Sequence, residues 1–305
     1  MNAADAARGG GPRERNDVTG YPRVSRAIRA VLLLAMALPL GGIGSIEALF
    51  APSAELWARW TANDPAATRS IDHGAWDRFL KTYVFASDDG VNRVAYGRVS
   101  GGDGLGLKRY ISGLAAEPVS RLSRAEQLPF WINLYNALTV KLVLDHYPVK
   151  SIRDIDISPG WLARGPWNKK LIEIEGEKIS LNDIEHRILR PIWRDPRIHY
   201  AVNCAAIGCP NLGTDAYTAS NAEGLLSQAA RLYVNHPRGA RIEDGKLVVS
   251  SIYVWFQEDF GGDDEGVIAH LGRYAGAELK AGLAKARKIA DFGYDWALNG
   301  APAGR

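Results

Sequence analysis

The feature that most constrains the fold is the segment EQLPFWINLYNALTVKLVLDHYP, residues 126–148. As a helix it carries apolar side chains on almost every side, so it must be buried rather than lie on a surface. Ser123 and Glu126 have the spacing of a capping box, which predicts that the helix begins after Ser123. Pro129 is expected in the first turn, because a proline further inside would break backbone hydrogen bonds.

Other predicted elements follow in mixed order, without the regular strand–helix alternation of a parallel sheet. Residues 171–179 alternate around Gly176 and residues 240–249 turn at Asp244-Gly245, and both patterns predict hairpins. A buried strand is predicted over residues 198–204. Amphipathic or apolar patterns predict helices over residues 73–84, 105–114, 181–190, 222–234, 251–260 and 266–274. The sequence therefore predicts an α+β fold, with the buried helix packed on an antiparallel sheet and other helices around it.

The N-terminal part of the chain differs from the rest. Residues 1–22 have the composition of a disordered extension. Residues 23–54 have the pattern of a secretory signal, in which arginines precede the apolar run AVLLLAMALPL and small residues follow. That run is shorter than the ~20 residues of a membrane span, so we expect export to the periplasm and no stable span after cleavage. An uncleaved N-terminal anchor and a chance match in a cytoplasmic protein are the alternatives. Residues 55–300 hold no linker or repeat and are expected to form a single domain.

The charge balance argues against a nucleic-acid partner. The chain has 37 Lys and Arg against 34 Asp and Glu, a net charge of +3, and no predicted face gathers the basic residues. We expect a small-molecule or peptide-like ligand instead. Nothing in the sequence indicates a cofactor.

Two amides interrupt the buried helix. Asn133 and Asn136 lie three residues apart and therefore share a face. A buried amide without partners costs about 1–3 kcal/mol, so both side chains must meet hydrogen-bonding groups. They either fix a loop through its carbonyls, or one of them binds substrate or stabilises an oxyanion.

The helix predicted over residues 181–190 directs an acid towards the core. Ser180 and Asp183 are its expected caps, Glu185 falls within its apolar stripe, and His186 lies at the edge of that stripe. An ionised carboxylate facing the core needs a cation or several donors. Glu185 is either paired with an arginine for structural reasons, or it acts as an acid, base or orienting group.

Both cysteines lie in residues 198–212, IHYAVNCAAIGCPNL. On an extended strand roughly 16 Å would separate His199 from Cys204, so catalysis would need Cys209 as the thiol or His186 as the base. The spacing C-x4-C alone is a weak zinc pattern, and no metal site is expected. In an exported protein Cys204 and Cys209 form a plausible disulfide; a reactive thiol and inert buried cysteines are the alternatives.

Four motifs in order, FWINLYNALTVKLVLDHYP, SLNDIEHRILRP, DPRIHYAVNCAAIGCPNL and YDWALN, resemble the domain of unknown function 547 family. The resemblance covers about residues 57–299 and implies a bacterial protein, often behind a signal peptide. It singles out Trp131, Asn133, Asn136, Glu185, His186, His199, Cys204, Cys209 and Pro210. In plant members the position of Cys209 is often serine, whereas that of Cys204 tends to stay cysteine. This implies that a disulfide is not the family-wide purpose of the motif.

The predicted layout is also similar to papain-like and transglutaminase-like enzymes, in which a buried helix is followed by strands that bear a histidine. In those enzymes the N-terminus of the helix supplies the cysteine nucleophile. Here the helix carries Asn133 and Asn136 and no cysteine. Either a thiol comes from residues 204–209, or the domain has lost catalysis.

These observations lead to the hypothesis of a cysteine-dependent hydrolase or acyl-transferase acting on amide or peptide-like substrates. Cys204 or Cys209 would be the nucleophile, His186 or His199 the base, and Glu185 the orienting acid. The substrate-binding groups would be Asn133, Asn136 and Asn203. The alternative is a non-catalytic binding or structural domain with a Cys204–Cys209 disulfide or packed thiols. A redox role ranks third, because C-x4-C is not the C-x-x-C of thioredoxin-like proteins.

Overall fold

The structure, a computed structural model, describes residues 51–160 and 164–301. The predicted N-terminal extension and most of the predicted signal region lie outside the described residues. Within the described ranges, no helix is both long enough and apolar enough to cross a membrane.

Helices make up most of the regular structure. In chain order the α-helices of the described residues are α1 (Gly74–Tyr83), α2 (Gly101–Ala115), α3 (Arg124–His146), α4 (Arg190–Trp193), α5 (Ile198–Ala201), α6 (Ala222–Val234), α7 (Ile252–Trp255), α8 (Asp264–Tyr274) and α9 (Ala277–Leu283). A π-helix, Asp183–Leu189, runs directly into α4. Short 3₁₀ helices occupy Ala58–Thr61, Tyr96–Arg98, Val119–Arg121, Ile152–Asp154 and Gln257–Phe260.

The strands are short: β1 (Val84–Ala86), β2 (Asn92–Val94), β3 (Ile172–Ile174), β4 (Glu177–Ile179), β5 (Ala240–Glu243), β6 (Lys246–Ser250) and β7 (Ile289–Gly293). The pairs β1–β2, β3–β4 and β5–β6 are antiparallel, and β7 adds to β6 in parallel. Helices and small sheets together confirm the α+β class. In the described residues the strands form small separate sheets rather than one antiparallel sheet under the buried helix.

Both predicted hairpins are confirmed. The turn between β3 and β4 places Glu175 and Gly176 at φ 46° and 81°, and the turn between β5 and β6 places Asp244 and Gly245 at φ 49° and 73°. A two-residue type I′ turn needs positive φ at both central positions, and glycine meets this requirement without steric cost.

Helix α3 lies at the centre of the larger hydrophobic cluster and is buried almost continuously from Gln127 to Val143. It packs against α2 and the π-helix. The Ser123 hydroxyl caps it by accepting the Glu126 N–H, as predicted, but the Glu126 carboxylate accepts the Ile71 N–H instead of completing the box.

The expected position of Pro129 in the first turn of α3 is wrong. The helix begins at Arg124, so Pro129 lies inside it. A proline there removes only one intrahelical hydrogen bond, and the extensive burial of the helix compensates for that loss.

The predicted strand over residues 198–204 is also wrong. Ile198–Ala201 form the short helix α5, and the chain becomes extended only at Val202. A short apolar run does not distinguish a buried helix from a buried strand. Here the Asp195 carboxylate accepts the Arg197 N–H, which favours a turn at this point. The side chains therefore do not alternate, and the distance argument that separated His199 from Cys204 does not hold.

The segment around α5 contributes to two hydrophobic clusters. Ile198 and Val202 belong to the cluster around α3, whereas Tyr200 belongs to a second cluster with α6, α8 and the β5–β7 sheet. The residues between α5 and Pro210 thus lie between two packed regions. The prediction of a single domain over residues 55–300 stays a prediction.

Candidate functional site

A cavity of about 400 Å³ lies beside the π-helix, α5, α7 and the loop that holds both cysteines. We call residues 204–209 the cysteine loop. Aromatic side chains form much of the lining, and we call five of them the aromatic wall: Trp167, Trp255, Phe256, Tyr294 and Trp296. Tyr294 and Trp296 have ring centroids 4.7 Å apart, and Trp255 and Trp296 stack at 5.8 Å. The lining also includes the polar groups described below and the side chains of Arg153 and Arg164.

Six of the residues that the sequence singled out meet in this cavity: Glu185, His186, His199, Cys204, Cys209 and Pro210. They come from two motifs, and the π-helix, α5 and the segment around the cysteine loop bring them together. Their meeting is an observation, whereas their catalytic roles stay predictions.

The two cysteines form a disulfide, with their Cα atoms 6.2 Å apart. The Cys204 N–H donates to the Cys209 Sγ at 2.9 Å, and the Tyr294 hydroxyl lies 3.0 Å from the Cys204 Sγ. The sequence left open a disulfide, a reactive thiol or inert buried cysteines, and the structure has the disulfide. Neither sulfur is a thiolate in this state, and only a thiolate is an effective nucleophile.

Glu185 lies in the π-helix with only 8% of its surface exposed. Its carboxylate oxygens lie 3.6 Å from the His199 Nδ1 and 3.9 Å from the His186 Nε2. Burial alone would raise its pKa, but the imidazoles of His186 and His199 and the guanidinium of Arg190 lower the pKa to about 2. Glu185 is therefore ionised at neutral pH. A carboxylate with so low a pKa is a weak general base but a strong hydrogen-bond acceptor.

His199 is held between two carboxylates. Its Nε2 lies 2.7 Å from an Asp259 oxygen, its Nδ1 faces Glu185, and its ring stacks on Phe256 at 4.6 Å. Burial lowers the pKa of His199, but the two carboxylates outweigh that effect and the net pKa is raised. The raised pKa favours the imidazolium form of His199, in which a carboxylate faces each ring nitrogen.

His186 is the neutral imidazole of the site. Burial, as the largest effect, lowers its pKa to about 4. Its Nδ1 lies 3.0 Å from the Arg190 Nη1 and accepts that N–H, so the ring proton is on Nε2, on the side of Glu185. The Arg190 side chain is only 1% exposed and also pairs with Asp259 at 2.5 Å. A buried guanidinium needs such partners.

The three asparagines predicted to bind substrate, Asn133, Asn136 and Asn203, do not line the cavity. Their side-chain amides form hydrogen bonds with loop backbone instead. Asn133 donates to the Tyr217 carbonyl at 2.8 Å and accepts the Tyr217 N–H at 3.1 Å. Asn136 donates to the Ala201 carbonyl at 2.9 Å and accepts the Asn203 N–H at 2.8 Å. In this structure they hold loops, which was the first of the two alternatives for Asn133 and Asn136.

The side chain of Asn203, also predicted to bind substrate, forms hydrogen bonds within the protein. Its Nδ2 donates to the Pro210 carbonyl at 2.7 Å, and its Oδ1 accepts the Ala205 N–H at 2.9 Å. These bonds tie together the two ends of the cysteine loop.

Sequence reasoning missed Asp259, Arg190 and the aromatic wall. Arg190 lies four residues after His186, a spacing that places two helical side chains side by side and could have revealed the pair. Asp259 had no such signal, because 60 residues separate it from His199. Tyr294 and Trp296 belong to the motif YDWALN, which carried no assigned role.

Comparison with known proteins gives the family of one segment. Residues 119–234 match the family model described as a protein of unknown function, DUF547. The segment belongs to this family, which confirms the resemblance seen in the motifs. It includes α3, the π-helix and the cysteine loop, but ends before Asp259 and Tyr294. No curated protein and no solved structure matches the chain.

Proposed function

We propose that this DUF547 member binds a small amphipathic molecule bearing amine or amide N–H groups in the cavity, with Glu185 as its polar anchor. The observation that carries the proposal is an ionised, buried carboxylate beside an aromatic wall. The nearest imidazole nitrogens lie at 3.6 and 3.9 Å, beyond hydrogen-bond distance. The Tyr135 hydroxyl, which also lines the cavity, is hydrogen-bonded to this carboxylate. A carboxylate has about four acceptor sites, so Glu185 keeps acceptor capacity for a ligand.

The walls favour a flat or apolar group next to that donor. Trp255 and Tyr294 contribute aromatic surface to the lining, and the Arg153 guanidinium lies over the ring of Trp296, 5.0 Å from its centroid. Aromatic rings bind aromatic groups by stacking and ammonium groups by cation–π interaction. A ligand with an amine or amide N–H on an aromatic framework can donate to Glu185 and pack against the aromatic wall. This is the chemistry of a peptide-like fragment.

We test this with tryptophan fluorescence, since three tryptophans line the cavity. The probe is L-phenylalaninamide, which carries an ammonium, an amide and a phenyl ring; 3-phenylpropionate has the ring with the opposite charge. We expect the wild type to bind the amide and not the carboxylate. Glu185→Gln keeps the size of the side chain but removes its charge, and it should weaken binding at least about tenfold, the value of one charge-assisted hydrogen bond.

The matched control is Glu173→Gln, which removes a carboxylate from the exposed side of β3, away from the cavity lining. It should bind like the wild type. Circular dichroism confirms that each variant is folded. Equal affinity of the wild type and a folded Glu185→Gln variant, or a preference for 3-phenylpropionate, would overturn the proposal.

The second candidate is the cysteine-dependent hydrolase or acyl-transferase. What favours it is that Cys204, Cys209, Glu185 and both histidines line one cavity. It needs the reduced chain, and only His186 is then a neutral base. Release of the chromophore from phenylalanine p-nitroanilide in the presence of a reductant, abolished by Cys204→Ser, would support it. No release by the reduced wild type would exclude this activity on that substrate.

We also propose that the protein is exported to the periplasm. The arginine, apolar and small-residue pattern of residues 23–54 supports this. A disulfide that closes only a short loop also fits an oxidising compartment. Fractionation of cells with an antibody to the chain tests it, and recovery of the protein in the cytoplasmic fraction alone would contradict it.

A further inference from the structure

We propose that Cys204–Cys209 is a redox-active disulfide, which exchanges reversibly with small thiols that enter the cavity. Cys204 is the sulfur attacked and Cys209 is the leaving and resolving sulfur. This activity is separate from the proposed ligand binding, and it needs neither a metal nor a cofactor.

The two sulfurs differ in access. Cys209 is 4% exposed, whereas Cys204 is partly exposed, and both line the cavity. A structural disulfide is normally shut away from small reagents, because exchange requires a thiolate to approach a sulfur. Here the cavity gives an entrance of limited size to the side of Cys204.

Each sulfur also has a donor placed to stabilise negative charge. The Cys204 N–H lies 2.9 Å from the Cys209 Sγ, and the Tyr294 hydroxyl lies 3.0 Å from the Cys204 Sγ. A hydrogen bond to a thiolate lowers the pKa of the thiol and makes it a better leaving group. The pair of donors therefore favours both halves of the exchange.

The cysteine loop is held by bonds that do not depend on the disulfide. The Tyr233 hydroxyl donates to the Gly208 carbonyl at 2.6 Å, and Arg238 donates to the Ile207 carbonyl at 2.9 Å. The Gly208 N–H donates to the Asp295 carbonyl at 2.8 Å, an approach so close that a Cβ on Gly208 would lie 2.8 Å from the Asp295 nitrogen. The two sulfurs thus stay near each other after reduction, ready to form the bond again.

The disulfide is reduced in two exchange steps. A small thiolate attacks the Cys204 sulfur, the bond between the two cysteines breaks, and its electron pair goes to the Cys209 sulfur. A second thiolate attacks the small-molecule sulfur of this mixed disulfide and releases a small disulfide and the Cys204 thiolate. In total, two small thiols are oxidised, the protein disulfide is reduced, and the two protons end on the protein thiols. Reoxidation by a small disulfide is the reverse.

The experiment places the full-length protein in cysteamine–cystamine mixtures of varied ratio at neutral pH, then traps free thiols with an alkylating reagent and counts them by mass. We expect both cysteines to become free and to pair again as the ratio is reversed, without denaturant. A disulfide that resists excess cysteamine in the native protein and reacts only in urea would overturn the proposal.

Single-cysteine variants test which sulfur reacts. Treated with cystamine, Cys209→Ser should rapidly form a mixed disulfide on Cys204 and release one cysteamine. Cys204→Ser should react at least about tenfold more slowly, because Cys209 is buried. Tyr294→Phe in the Cys209→Ser chain should shift the alkylation of Cys204 to higher pH, whereas Tyr274→Phe, in α8, should not. Equal rates for the two cysteines, or no shift with Tyr294→Phe, would contradict the assignment. None of these measurements depends on the phenylalaninamide result.

Discussion

Asn136 links the buried helix α3 to the cysteine loop. Its amide accepts the N–H of Asn203, which directly precedes Cys204, and donates to the carbonyl of Ala201, the last residue of α5. One side chain thus restrains the conformation of the backbone between His199 and Cys204. The sequence predicted that such an amide needs partners, but not which loop would provide them.

Asn136→Ala should destabilise the protein by about 2–4 kcal/mol, because it leaves a buried carbonyl and a buried N–H without partners. It should also speed the reduction of the disulfide, since the loop loses one of its restraints. Urea unfolding and the rate of thiol release measure the two effects.

Asn133→Ala is the matched control for Asn136→Ala. It removes the same two kinds of hydrogen bond from the same helix, but at Tyr217 rather than beside the cysteine loop. It should lose similar stability with little change in the rate of reduction. The same acceleration in both variants would show that Asn136 has no particular hold on the loop.

Among the elements that line the cavity, the π-helix was predicted as an ordinary helix. The apolar stripe predicted an ordinary helix over residues 181–190, and the same stripe suits a π-helix. π-Helical turns are rare and often occur at functional sites. Both Glu185 and His186, adjacent in sequence, line the cavity from this π-helix.

The entrance to the π-helix has a cap that the sequence predicted. The Ser180 Oγ accepts the Asp183 N–H at 3.2 Å, and the Asp183 carboxylate accepts the Ser180 N–H at 2.8 Å. Ser180→Ala should cost about 1 kcal/mol of stability. Because this cap fixes the start of the segment that carries Glu185, the variant should also weaken the binding of L-phenylalaninamide.

Ser123→Ala is the control for Ser180→Ala, because the Ser123 hydroxyl likewise accepts a backbone N–H in the first turn of its helix, α3. It should lose comparable stability in urea unfolding and bind the probe like the wild type. If both variants, or neither, lose affinity, the cap of the π-helix has no separate role in the site.

For the whole molecule, local patterns predicted most of the elements but not their arrangement. The helices over residues 73–84 and 222–234 and both hairpins are present, because periodicity and turn residues are local signals. The cavity is different: apart from Trp167, its aromatic wall comes from Trp255, Phe256 and residues 294–296, after the segment that matches the family model. Contacts between such distant parts of the chain have no local signature. The short helix α5 went unrecognised for another reason, because a short apolar run does not distinguish a buried helix from a buried strand.

Three buried histidines should make the protein less stable in mild acid. Burial is the largest effect on His73, His186 and His270 and lowers each pKa to about 4. The unfolded chain takes up protons below about pH 6.5 while the folded chain does not, so stability is full above that pH and falls as the pH drops towards 4. His199, whose pKa is raised, contributes with the opposite sign. Its contribution to stability is full below about pH 6.5 and is lost as the pH rises through its pKa in the folded protein.

The expected loss between pH 7.5 and 5 is about 1–2 kcal/mol for each of these histidines. Urea unfolding at the two pH values measures it. Glu185 and Asp259, with pKa values lowered to about 2, retain their contribution over this range and lose it only in stronger acid. Stability that is unchanged or higher at pH 5 would show that the histidines are not buried in neutral form.

The most direct test of the account is a crystal structure of the wild-type protein with L-phenylalaninamide bound. We predict that the ammonium or amide nitrogen lies about 3 Å from a Glu185 carboxylate oxygen, with the phenyl ring against Trp255 and Trp296. A probe bound outside this cavity, or bound in it with its nitrogen directed away from Glu185, would contradict the central claim.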